Sequence, residues 1–393
     1  MVKRGLYSFS NMFRAKDWWA SKAALLMGLV YLYAAWLGIP FLHTVWLSLL
    51  SFCTVVGFAA TGYLCNDFFD RDKDALAGKY NFVAGKSPAL IVLLLAGSLL
   101  LLFGPWLYLP FTKLSALLIG LQLLLFLLYS VRPVRLKERG VPGIVTDALY
   151  AHTLPALLSY YTFAMAMGKP VQVLPLVLLL LWQFTTGLRN ILIHQYDDVA
   201  HDRVAMVNNL VANMPTASLF AVFKLLIGLE ILFSVLFFSV LATGNYWFLL
   251  AVGVILFFLA MVVVIFYNPG FSTFINTRWR YFPNPVFEKW LPIVCLLVSA
   301  VSYWPFLLLI PMHLLVFNPG FFVQINNHIV PAVKNGIVLA IKGIYYKVII
   351  PVRILFSLAL NYLLYYVMKL IFGVDLKQEQ VSAWGYIKGR FLR

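Results

Sequence analysis

Residues 43–74 read HTVWLSLLSFCTVVGFAATGYLC followed at once by NDFFDRDKD. The first part, His43 to Cys65, holds no Asp, Glu, Lys or Arg. It is long enough to cross a bilayer as a helix, which takes about 20 residues. The second part packs Asp67, Asp70, Asp72 and Asp74 into the end of that helix. A membrane helix that closes on a cluster of acids therefore sets the reading of the whole chain.

The rest of the composition agrees. Of 393 residues, 63% are hydrophobic and 11% are charged, where a soluble domain carries about 25% charged residues. Mean hydropathy is +0.89. No water-soluble fold hides that much apolar surface, so lipid must solvate most of the chain. The alternation of a barrel strand is missing, so the spans are helices. Expected spans fall at about 18–40, 43–65, 88–109, 112–130, 143–167, 171–196, 214–241, 246–267 and 290–316. The fold class is all-α: a polytopic membrane protein with nine spanning helices. An additional C-terminal helix, amphipathic or a tenth span, is expected near 349–371. The expected division is 1–317 for the transmembrane domain and 318–393 for an interfacial extension.

Net charge is +16, but the basic residues sit in short loops between apolar runs. That pattern fits a cytoplasmic leaflet and excludes nucleic acid as a partner. One set of loops carries Arg71, Lys73, Lys79, Lys86, Arg132, Arg135, Lys137, Arg139, Arg203, Arg278, Arg280 and Lys289; the opposite set carries Lys113 and Lys169. The bias puts the N-terminus and the charged loops of a multi-pass protein in the cytoplasm. The basic N-terminus leads into a full-length span with no cleavage site, which reads as an uncleaved first helix. Arg14 and Lys16, beside Trp18 and Trp19, read as interfacial anchors. Cys53, Cys65 and Cys295 lack metal spacing.

Half of the fourteen acids lie in two segments: Asp67, Asp70, Asp72 and Asp74, then Asp197, Asp198 and Asp202. Gathering like charges beside lipid is costly. Asp67, Asp70 and Asp74 stand at i, i+3 and i+7 and share one helical face, with Asn66 at its edge; Asp72 points elsewhere. Asp198 and Asp202 also share a face, and Asn190 and His194 precede them at the same four-residue step. Two such faces at one membrane depth can hold Mg²⁺, a hard cation that shares phosphate oxygens with its substrate. The diphosphate then becomes a good leaving group. The competing readings are helix capping near the headgroups and a cation pathway in a transporter.

Asn66 to Asp74 reads NDxxDxxxD and Asp198 to Asp202 reads DxxxD. Between them Tyr129-Ser130-Val131-Arg132-Pro133-Val134-Arg135-Leu136-Lys137 follows the pattern YS-x-x-P-x-R-x-K. Together these resemble the UbiA superfamily of intramembrane prenyltransferases, over roughly residues 14–317. The resemblance implies Mg²⁺ between the two motifs, at Asn66, Asp67, Asp70, Asp74, Asp198 and Asp202. It implies a catalytic part for Asp67, Asp70, Asp198 and Asp202. It also implies a nine-helix transmembrane bundle around a central cavity, with an apolar tunnel for an isoprenyl tail. Two departures stand out. An Asn-x-x-Arg-Pro stretch is replaced by Ala77-Gly78-Lys79-Tyr80-Asn81, and a Gly-Lys pair by Met206-Val207.

Lys79, Arg135 and Lys137 are candidates for holding diphosphate oxygens. Tyr129, Ser130, Asp147, Asn190 and His194 are candidates for the substrate cavity, and Arg189 is expected to line it too. Lys224 and Glu230, six residues apart, do not share a face. The expected reaction is Mg²⁺-dependent transfer of a prenyl group from a lipid diphosphate to an unidentified acceptor. The alternatives are phosphoribosyl transfer from phosphoribosyl diphosphate to a polyprenyl phosphate and, in another class, a membrane transporter or non-catalytic membrane protein.

Overall fold

The computed structural model describes residues 14, 18–76, 78–204, 210–241, 253, 279–281 and 283–318; for 200–204, 279, 285 and 302 it describes the backbone alone. The described residues are helical and contain no strand. The expected span 246–267 and the C-terminal stretch lie outside them, apart from residues 253 and 318.

Among the described residues nine helices follow in chain order. The first, α1, covers 19–36 and opens with a π turn, Trp19–Ala23. Next come α2, Phe41–Leu76, and α3, Pro88–Phe103, which tightens into a 3-10 turn at Gly104–Leu107. Helix α4 is Lys113–Ser130. Helix α5 covers 141–166, with a π turn at Leu149–Thr153. Helices α6, Val173–Val204, and α7, Thr216–Leu241, follow. Helix α8 covers 283–302, with a π turn at Pro285–Trp290. The last, α9, is Leu309–Phe317.

Local chemistry explains the ends. Ser87 caps α3 by accepting from the Leu90 amide at 3.3 Å, with Pro88 in the first turn. Thr112 and Ser115 form a reciprocal capping box on α4. Helix α1 ends in a Schellman motif: Ile39 N–H donates to Ala34 and Gly38 N–H to Ala35, with Gly38 at φ +73°. The expected span 290–316 is two helices, not one. Tyr303 is extended (φ −153°, ψ 103°) between α8 and α9. Pro305 follows in the next turn; it has no N–H to bond back, and its ring would collide with the carbonyl one turn earlier.

Among the described residues five helices are long and apolar enough to cross a membrane: Phe41–Leu76, Pro88–Leu107, Lys113–Ser130, Val173–Val199 and Thr216–Leu241. Leu114, Leu117, Leu121 and Leu124 form an exposed stripe along α4. In water such a stripe would need covering; in lipid it is the ordinary surface of an integral membrane protein.

Packing runs α2 on α3, α6 on α7, and α1 against α8 and the second half of α5. Helices in lipid have little hydrophobic drive to associate, so close approach at small residues matters. At Gly57 of α2 a Cβ would lie 2.3 Å from the Leu102 backbone nitrogen of α3, whereas at Gly97 it would meet nothing within 4 Å. Gly57→Ala should therefore destabilise by about 1–3 kcal/mol through forced separation of α2 and α3. Gly97→Ala should not lower stability. Thermal unfolding of the two variants in detergent checks the pair.

Candidate active site

Helix α2 continues eleven residues beyond Cys65, so the first acidic segment is its last turns. Asp67, Asp70 and Asp74 are buried on one face, while the Asp72 side chain is 91% exposed beside Arg71. Helix α6 likewise runs through the second segment. The side chain of Asp202 lies outside the described residues. The two helix ends face each other across one cavity of about 560 Å³, whose wall includes Asn66, Asp70, Asp74 and Asp198.

The loop 131–140 closes one side. Arg135 occupies the left-handed region (φ +41°), a costly conformation for a residue with a Cβ. From there its buried guanidinium makes three bonds. It donates to Asp70 Oδ1 at 2.6 Å, to the Phe69 carbonyl at 3.3 Å and to Glu138 Oε1. Lys137 donates to Asn66 Oδ1 at 2.9 Å and to Asp70 Oδ2. Ser130 donates to the same Asn66 oxygen at 3.3 Å, and Lys73 reaches Glu138. Burial draws the Lys137 ammonium below its ordinary range, and Asp70 opposes that. Burial alone would raise Glu138, but hydrogen bonds from Lys73 and Arg135 outweigh it and hold the carboxyl below its usual range.

The loop after α2 closes the other side. Asn81 donates to the Asp67 carbonyl at 2.7 Å and to Asp74 Oδ2 at 2.8 Å, while its own oxygen accepts from the Val83 and Ala84 amides. The Phe82 amide donates to Asp67 Oδ2 at 2.9 Å. Arg14 meets Asp67 Oδ1 at 2.6 Å, so it is an acid partner rather than an interfacial anchor. Lys79 reaches across to Asp198 at 3.0 Å, joining the two Asp-bearing ends. Asp197 is held by Arg280 at 2.8 Å and by the Tyr281 hydroxyl.

Of the cavity candidates, Tyr129, Asp147, Asn190 and His194 are on the wall. Ser130 is buried behind it on Asn66. Asp147 accepts from the Tyr150 hydroxyl at 2.8 Å, and Tyr129 packs edge-on against Tyr150. Arg189 is not on the wall. It forms a fully buried pair with Glu230 of α7, Nε to Oε2 at 2.6 Å and Nη2 to Oε1 at 3.0 Å, and caps the Arg280 carbonyl. That pairing also takes Glu230 away from any ion pathway. Arg14, Asn81, Glu138, Asn284 and Glu288 were not among the expected site residues. Glu138 had one signal, being the single acid in a loop of bases.

The donor set at the cavity mouth is all oxygen, which fits a hard divalent cation. Among the described residues no three carboxylates converge closely enough to hold one ion alone. Such a site needs phosphate oxygens and waters to complete it, as is usual for Mg²⁺.

A family model described as the UbiA prenyltransferase family matches residues 24–271. The chain belongs to the UbiA prenyltransferase family. A search of curated proteins finds no match. Among solved structures, the apo form of a UbiA homologue from Aeropyrum pernix K1 is similar, with a TM-score of 0.52 and 14% identity over 71% of this chain and 97% of that one. This likeness shows a shared fold. A UbiA homologue from Archaeoglobus fulgidus, solved bound to GPP and Mg²⁺, gives a TM-score of 0.47 at 17% identity over 75% of this chain and 99% of that one.

In this UbiA-family bundle the Arg189–Glu230 pair ties α6 to α7 beneath the second acidic segment. Arg189→Met should cost about 3–5 kcal/mol, because it strands a buried carboxylate. The double variant Arg189→Met, Glu230→Leu should recover more than half of that loss. Thermal unfolding of the single and double variants measures the difference.

Proposed function

We propose that this protein transfers a prenyl group from a prenyl diphosphate to an acceptor, with Mg²⁺, and releases diphosphate. The observation that supports it most is the placement of two Asp-bearing helix ends on one cavity with cations between them. In this reading Asn66, Asp67, Asp70, Asp74, Asp198 and Asp202 hold the metal. When bound, Mg²⁺ supplies charge neutralisation to the departing diphosphate.

The chain's own residues do the rest. Asp70 and Asp198 exchange their lysine and arginine partners for the incoming substrate complex. Arg135, Lys137 and Lys79 then turn to diphosphate oxygens, where a guanidinium or ammonium makes a charge-assisted bond. The cavity wall formed by Leu26, Val55, Phe58, Ala59 and Leu123 accommodates an isoprenyl tail. Tyr63, Phe126, Tyr129 and Tyr150 present aromatic rings to the same cavity, which suits positive charge growing on the allylic carbon. Asp67 is held by Arg14 and by the Phe82 amide, and gives up Arg14 as it takes its share of the metal.

We also infer that the N-terminus and both Asp ends face the cytoplasm. The asymmetry of loop charge supports this.

Geranylgeranyl diphosphate should raise the unfolding temperature of the purified protein only when Mg²⁺ is present. Asp70→Ala and Asp198→Ala should weaken its binding by about 100-fold, and Asp72→Ala should leave it unchanged. Stabilisation by phosphoribosyl diphosphate instead, or full binding by Asp70→Ala and Asp198→Ala, overturns the proposal.

A further inference from the structure

At the cavity mouth, Glu138 stands outside both acidic segments. Arg135, Lys137, Arg14 and Lys79 each pair with Asp67, Asp70 or Asp198. On the proposed reading those three acids turn to the metal, and each of those pairings opens. In that reading Glu138 takes no share of the metal, so the bonds it makes can persist.

Local structure sets those bonds. The chain tightens into a 3-10 turn at Leu136–Glu138 directly after the left-handed Arg135. The Glu138 amide donates to the Arg135 carbonyl at 3.1 Å. Side chains three residues apart in such a turn nearly eclipse, and Glu138 Oε1 accepts from Arg135 Nε. The same oxygen accepts from Nζ of Lys73, in the last turn of α2. Lys73, Arg135 and Glu138 all line the cavity, beside Lys137 and Asp70. Burial alone would raise the Glu138 carboxyl, but the bonds from Lys73 and Arg135 hold it below its ordinary range, so it is ionised at neutral pH. The Arg135 guanidinium therefore has one edge on Glu138 through Nε and another on Asp70 through Nη2. When Asp70 turns to the metal, the Nε edge stays anchored and Nη2 is free for a diphosphate oxygen.

Cleavage of the donor leaves free diphosphate, which exposes an oxygen that the ester had blocked and so carries more negative charge. Cations that hold the substrate hold this product more tightly still, and release of product limits many enzymes. A carboxylate fixed at the same place opposes that hold. It repels the anion and balances the cations beside it. Lys73 does the reverse, and its ion pair among the described residues is with Glu138.

We propose that Glu138 is the standing counter-charge of the diphosphate site: it keeps Arg135 and Lys73 through the reaction and weakens their grip on the released diphosphate. Glu138 is a positioning residue, since it acts on the anion through Arg135 and Lys73. Lys73 is a further cation of the site, held in balance. This role of Glu138 rests on the prenyl-transfer reading, in which diphosphate is the leaving group.

The test titrates the purified full-length protein with inorganic diphosphate and Mg²⁺ in a calorimeter. Glu138→Gln keeps an acceptor for Arg135 and Lys73 but removes the charge. It should bind diphosphate roughly 10-fold more tightly than the unsubstituted protein. Lys73→Met should bind it roughly 10-fold more weakly. The double variant Lys73→Met, Glu138→Gln leaves the net charge unchanged and should return to within about 3-fold of the unsubstituted affinity. Loss of a merely structural clasp would weaken all three, the double variant most. Equal or weaker binding by Glu138→Gln, or a double variant weaker than Lys73→Met, overturns the proposal. Should Glu138→Gln not fold, Lys73→Met still leaves the Arg135–Glu138 pair in place, and unweakened binding there overturns it. If the unsubstituted protein shows no Mg²⁺-dependent binding of diphosphate, the prenyl-transfer reading falls, and the role of Glu138 with it. If it binds while Glu138→Gln brings no gain, only the role of Glu138 falls.

Discussion

Carboxylates gathered at the end of a membrane helix repel one another, and partial removal from water makes that worse. The architecture of the cavity mouth answers this constraint. Arg135 and Lys137 sit on Asp70, Arg14 on Asp67, and Lys79 on Asp198. Each cation reaches its acid from a different segment of chain, so charge pairing also fixes where the loops go. The left-handed backbone of Arg135 is one cost of that arrangement, offset by three bonds from its guanidinium.

In the proposed reaction the same pairing serves chemistry. A cluster of acids already balanced by cations can exchange those cations for a charged substrate complex without a large change in net charge. The cations remain at hand for the leaving group. Deeper in the bundle, the fully buried Arg189–Glu230 pair follows the other rule for charge beside lipid: two opposite charges close on each other and take no further part.

Much of this was legible in the residues because it depends on local periodicity. The i, i+3, i+7 spacing of Asp67, Asp70 and Asp74 places them on one face whatever packs against it, and Asp72 falls on the other. The span positions follow from the length of apolar runs. What was not legible depends on which helices meet. Arg189 and Glu230 are 41 residues apart and share no pattern, so Arg189 read as a cavity residue. Arg14 read as an anchor because its neighbours are tryptophans, and its true partner lies 53 residues away. The division of 290–316 at Tyr303 was hidden by continuous hydropathy, although Pro305 was in plain view. Asn284 and Glu288 begin that helix and gave no signal, since a lone acid near a span end has several ordinary explanations.

The central claim is that the ends of α2 and α6 together hold a divalent cation and a diphosphate. Electron paramagnetic resonance of Mn²⁺ in place of Mg²⁺ tests it most directly. With geranyl diphosphate present, the protein should hold Mn²⁺ with hyperfine coupling to phosphorus, and both Asp70→Ala and Asp198→Ala should abolish that coupled signal. Phosphorus-coupled Mn²⁺ that survives either substitution, or Mn²⁺ that binds with no coupling to phosphorus, would contradict the account.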